Sequence, residues 1–156
     1  MLCVSGCGGG GGSQKPAATV QTVAGGGYRF AAPVGWKLTR SGRTAAAASG
    51  SDLVSVTTFP LAKRYRPAIW PAVVQQLDRV ASQLALQLSG KLAANRTVTI
   101  GGQRARSYQI AYERNGSQLV ERIAFVLRGK REYQLLCRYR NDPAPCDRLV
   151  ASFRLA

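Results

Sequence analysis

The chain from residue 96 onward constrains its fold most. Four strand-like runs, "RTVTI", "QRARSYQIAYE", "SQLVERIAFVLR" and "REYQLLCRYR", follow one another with breaks only at Gly101-Gly102, Asn115-Gly116 and Gly129-Lys130. Breaks that short leave no room for a crossover helix, so neighbouring runs return antiparallel. Asn115-Gly116 is the strongest hairpin signal, because both central residues of a type I′ turn take positive φ. Gly101-Gly102-Gln103, the tripeptide of peptide release factors, lacks their long loop and reads as another tight turn.

Upstream, residues 67–88 carry Trp70, Val73, Val74, Leu77, Val80, Ala81, Leu84 and Leu88 at helical spacing, with glutamines, Asp78 and Arg79 on the other side. The pattern predicts one long helix, opened by Pro67 or Pro71, stopped near Gly90, its apolar stripe turned to the sheet. "DLVSVTTFPL" is rich in β-branched residues and ends at Pro60, which predicts a strand. "YRFAAPVGWKL" predicts a strand from Tyr28, a turn through Pro33 and Gly35, and a second strand from Trp36, with "TAAAASGS" ending that hairpin. After the meander, Asp142 and Pro143 open a short helix in "CDRLVASFRL". Strands, a long helix, antiparallel strands and a short helix make an α+β domain.

The chain opens with "MLCVSGCGGGGG". Small residues before Cys7 admit a signal peptidase, and the Gly/Ser run after it is a flexible tether. The segment resembles a bacterial lipobox, which implies that Cys7 is lipidated and becomes the amino terminus. A secretory signal needs a basic start and roughly 7–15 apolar residues, so residues 1–6 are read as the remnant of a signal peptide that starts upstream. Residues 7–27 are then the lipidated cysteine and Gly-rich tether, and residues 28–156 the globular domain. Cys3 and Cys7 lack the nearby Cys or His that a tetrahedral metal site requires.

Lys and Arg total 22 against 7 Asp and Glu, a formal net charge of +15. A surface of that sign draws polyanions: anionic lipid, acidic wall polymer or nucleic acid. Compositional drift toward Arg, Ala and Gly accounts for the excess equally well. There is no histidine, which removes the commonest general base and nitrogen metal ligand. The phosphate-cradling loop, the Gly-x-Ser-x-Gly elbow and the Ser-x-x-Lys pair are absent as well. Glu113 and Glu121, flanking the Asn115-Gly116 turn beside Arg114 and Arg122, read as solvated ion pairs rather than an acid–base pair. The expectation is a protein without enzymatic activity, catalytic residues, cofactor or metal.

"YRFAAPVGWKL", "VSVTTFPL", the long helix, "VTIGGQRARSYQIAY" and the closing "ASFRL" together resemble bacterial lipoproteins of the PsbP-like, or Mog1-like, α/β/α sandwich superfamily, over roughly Tyr28 to the C-terminus. The resemblance implies a curved antiparallel sheet of about six strands flanked by one long and one short helix. Relatives act as binding or assembly factors, some on photosystem II and one on a nuclear transport GTPase. "QLLCRYRNDPAPCDRLVASF" looks like an actinobacterial exported variant.

Two constellations remain. Cys137 lies near the end of a strand-like run and Cys146 opens a helix, so a tight reversal brings them together; in an oxidising compartment they form a disulfide, and otherwise two separate buried thiols. Arg104 and Arg106, Arg122 and Arg128, and Arg138 and Arg140 each share a strand face. If the hairpin registers join those faces, they make a cationic patch near Tyr108, Tyr112, Tyr133 and Tyr139 that binds anions; otherwise the arginines are dispersed and solubilising. The leading expectation is an extracytoplasmic binding or assembly module, anchored by Cys7 to the outer face of the cell membrane, with anionic lipid, wall polymer or an envelope protein as partner. A cytosolic nucleic-acid-binding module is the alternative, resting on charge alone.

Overall fold

The computed structural model describes residues 19–156; Cys3 and the expected lipidation site Cys7 lie outside the described residues. Strands β1 (Val20–Gly25), β2 (Tyr28–Pro33) and β10 (Arg154–Leu155) form a three-stranded sheet in the order β1-β2-β10. Strands β3 (Lys37–Ser41), β4 (Thr44–Ser49), β5 (Asp52–Pro60), β6 (Lys91–Ile100), β7 (Gln103–Arg114), β8 (Ser117–Arg128) and β9 (Arg131–Tyr139) form a seven-stranded sheet in the order β3-β4-β5-β9-β8-β7-β6. Pairing is antiparallel throughout. A 3₁₀ turn at Pro67–Ile69 leads into helix α1 (Trp70–Gln87), and helix α2 (Ala144–Ser152) follows β9. The protein is thus α+β, with one long and one short helix.

Two local expectations give way. The folded part begins before residue 28, because β1 pairs with β2 from Val20↔Pro33 to Gly25↔Tyr28. The glycines expected to be tether form the hairpin turn instead: Gly27 takes φ 85°, and a Cβ at Gly25 would lie 2.1 Å from the Tyr28 ring. Nor do β2 and β3 make a hairpin with the alanine run, since they belong to different sheets. That run is β4, between β3 and β5. Its Ala45 and Ala47 are buried against Val23 and Phe30, where their small side chains let the second sheet approach closely.

Alternation along the strands gives the large sheet two buried faces. On one, Tyr108, Ile123, Phe125 and Leu127 pack with Trp70, Leu77 and Ala81 of α1, and Ile110, Tyr112 and Leu119 with Ala85. Val80, expected in the stripe, is 45% exposed. On the other face, Val54, Val56, Ala124, Val126 and Leu135 meet Val23, Phe30, Leu149 and Phe153 of the small sheet and α2. Cys137 and Cys146 are disulfide-bonded across the β9–α2 reversal, their Cα atoms 5.4 Å apart.

Candidate functional site

The registers separate the six arginines. Arg106 lies opposite Phe125 and Arg138 opposite Glu121, so Arg104, Arg106 and Arg138 share the face covered by α1. Arg122 lies opposite Gln109 and Cys137, which puts it and Arg128 on the face of the small sheet and α2. Most are also occupied. Arg106 forks onto Asp78, with Nε at 3.0 Å and a terminal nitrogen at 3.3 Å. Arg122 pairs with Asp147 at 2.6 Å and lies over the Tyr139 ring. Arg104 lies over Trp70, Arg138 donates to the Ser51 carbonyl at 2.8 Å, and Arg140 donates to the Ser117 hydroxyl. Cation–π and hydrogen bonds hold these side chains to the body of the protein, and they form no single patch.

The carboxylates behave differently from solvated pairs. Glu113 lies opposite Gln118 on one face and Glu121 opposite Ile110 on the other. Glu121 is only 6% exposed, and burial raises its pKa against the opposing pull of the Tyr112 hydroxyl and of Arg138 and Arg114. Burial likewise raises Glu132. Asp78 moves the other way: burial works upward, but the hydroxyl of Tyr108, which donates to it, and Arg106 outweigh that and lower its pKa.

A carboxyl raised in the native state holds its proton more tightly folded than unfolded. The stabilising contribution of Glu121 and Glu132 is therefore full below the ordinary glutamate range and lost as pH rises through their raised native values. Asp78 contributes above the ordinary aspartate range and loses that contribution as pH falls through its lowered value. Glu121→Gln, which keeps an acceptor for Tyr112, is expected to stabilise the fold at about pH 7, on the order of 1 kcal/mol, and to change little at about pH 4. Urea unfolding at the two pH values checks this, and equal effects at both would rule out a titrating Glu121.

The uncompensated cations lie elsewhere, at one end of the sandwich. Antiparallel pairing sets the end of β5 beside the start of β9 through Pro60↔Arg131, and places the β3–β4 turn next to β5 through Thr44↔Thr57. Arg131 also donates to the Gly26 carbonyl of the β1–β2 turn at 3.3 Å. Three hairpin turns thus gather around an open cleft of about 490 Å³. Arg40, Arg43, Lys130 and Arg131 line it together with Tyr28, Thr58 and Pro60, and no Asp or Glu does. Among the described residues none of these four cations has a carboxylate within salt-bridge distance. Thr58 Oγ1, in the same wall, is buried without a hydrogen-bond partner among the described residues. One-signed charge in a cleft walled by protein focuses its field.

No family model matches the chain, and no curated protein matches it. Among solved structures, a crystal structure from Bacteroides thetaiotaomicron is similar with TM-score 0.55 at 9% identity over 83% of this chain, which spans 45% of that chain's length. The solution structure of cyanobacterial PsbP (CyanoP) from Synechocystis sp. PCC 6803 is similar with TM-score 0.67 at 13% identity, over 97% of this chain and 98% of that one. The crystal structure of LpqN from Mycobacterium tuberculosis is similar with TM-score 0.51 at 13% identity, over 89% and 92%. The likeness is one of fold, and the fold is PsbP-like.

Proposed function

We propose that the protein is a non-enzymatic, extracytoplasmic binding or assembly module, tethered through a lipidated Cys7 to the outer face of the membrane. The observation that carries the reading is the basic end of the sandwich, where Arg40, Arg43, Lys130 and Arg131 surround a cleft with no carboxylate in its walls. Such an end favours an anionic envelope component, and a tether would keep it within reach of lipid headgroups. The Cys137–Cys146 disulfide supports an oxidising compartment. LpqN, a protein of similar fold, is involved in cell envelope biogenesis, which supports a place in the envelope.

Two measurements test the proposal. The intact mass of the endogenous protein from membrane fractions is expected to fit a chain that begins at Cys7 and carries added lipid. An unmodified cytosolic chain with reduced cysteines would overturn the anchor. The delipidated protein is expected to sediment with vesicles containing phosphatidylglycerol, to ignore pure phosphatidylcholine, and to release as salt rises. Indifference to both lipid charge and salt would remove the membrane-directed role.

A further inference from the structure

We infer that the cleft at the hairpin-turn end is a binding site for a phosphate ester. The inference deepens the binding reading above and rests on it for the source of the ligand. The cations reach the cleft from separate elements: Arg40 from β3, Arg43 from the β3–β4 turn, and Lys130 and Arg131 from the β8–β9 turn and the start of β9. Donors that converge from several directions suit a tetrahedral group with several acceptor oxygens better than a flat carboxylate. Arg131 spends one donor on Gly26. Among the described residues, the side chains of Arg40, Arg43 and Lys130 make no hydrogen bond. A bound phosphate would therefore relieve four like charges without breaking an existing ion pair.

The cleft is also built for more than a bare ion. Its volume of about 490 Å³ exceeds what one phosphate fills and falls within the usual range for organic ligands. Ala24 and Pro60, both exposed, supply apolar wall. Tyr28 is buried behind that wall and held by its own hydroxyl, which donates to the Val56 carbonyl at 2.8 Å, so the floor of the cleft is fixed. The Thr58 hydroxyl, in the wall behind these residues, is buried and unpartnered among the described residues, a costly state for a polar atom.

The test is an NMR titration of the full chain with glycerol 3-phosphate, with inorganic phosphate and phosphatidylglycerol vesicles as parallel arms. Saturable shifts are expected at the amides of Gly26, Gly42 and Lys130, and affinity is expected to fall about tenfold in Arg43→Gln/Arg131→Gln. Arg40→Gln, a single change at an exposed cleft cation, is expected to weaken binding too, and covers the case in which the double variant fails to fold. Binding of glycerol 3-phosphate above inorganic phosphate supports an ester; equal binding of both overturns the ester and leaves a plain phosphate site. Shifts of the same amides on vesicles identify lipid as the source. No saturable shift at these amides, or binding unchanged in folded variants, overturns the site. Vesicle sedimentation that survives Arg43→Gln/Arg131→Gln overturns the cleft and leaves the membrane reading intact. Glycerol 3-phosphate binding by a protein that ignores anionic vesicles does the reverse.

Discussion

Phe153→Ala is expected to lower the unfolding free energy by about 3–5 kcal/mol, the usual cost of truncating a buried aromatic. Phe153 is fully buried where α2 ends and β10 begins. Its ring lies 6.0 Å from that of Tyr28 and 5.9 Å from that of Tyr133, so it joins the small sheet to β9 of the large one. It also closes on the β6–β7 turn: a Cβ at Gly101 would stand 3.1 Å from the Phe153 ring, and Gly101 takes φ 57° besides. Removing the ring leaves a cavity with little freedom to collapse, since its neighbour Tyr28 is itself held by its bond to Val56. Urea unfolding measures the loss. A change below about 1 kcal/mol would mean that the small sheet is not part of the cooperative core. Because Tyr28 also lines the basic cleft, the same variant is expected to weaken ligand binding while making no direct contact with a ligand.

The elements that could be read from sequence are those whose signals are local. The β7–β8 hairpin follows from Asn115-Gly116, where Asn115 takes φ 51° and Gly116 φ 74°. Helix α1 follows from its periodicity and from prolines at its start. What stayed hidden depended on packing against distant chain. The alanines of β4 have no strand preference of their own, and their placement makes sense only once a second sheet lies close above them. Strand β1 was masked by the glycines on both sides of it, which look like linker until their pairing with β2 is known.

The site shows the same division. Parity along one strand correctly paired Arg104 with Arg106 and Arg122 with Arg128, because alternation is a property of a single strand. Whether two strands turn those pairs to the same face is set by register, and the register Gln109↔Arg122 turns them apart. The cleft cations Arg40, Arg43, Lys130 and Arg131 had a weak signal, since each sits at or beside a glycine turn. Their convergence needs the pairing of β5 with β9, residues far apart in the chain, and the approach of a second sheet. Neither leaves a trace in local composition.

Loss of the Cys137–Cys146 disulfide is the second large effect expected. The bond joins residues 9 apart in sequence, and closing a loop of that size in the unfolded chain contributes about 2.6 kcal/mol in the chain-entropy account. Helix α2, of nine residues, is too short to persist alone, so its position depends on Leu149, on the disulfide and on the exposed pair of Asp147 with Arg122. Cys137→Ala/Cys146→Ala is expected to lower Tm by roughly 5–10 °C, and wild-type protein in reductant is expected to match it. Hydrogen exchange would show where the loss begins: amides of α2 and β10 should open before those of β7 and β8, because β10 continues directly from α2 and pairs with β2 over two residues. A Tm that ignores reductant while the double variant is destabilised would assign the effect to lost packing of two buried side chains, and would remove the oxidised pair as support for export. Agreement between reductant and variant would assign the loss to the oxidised pair itself and tie the stability of this fold to keeping it oxidised.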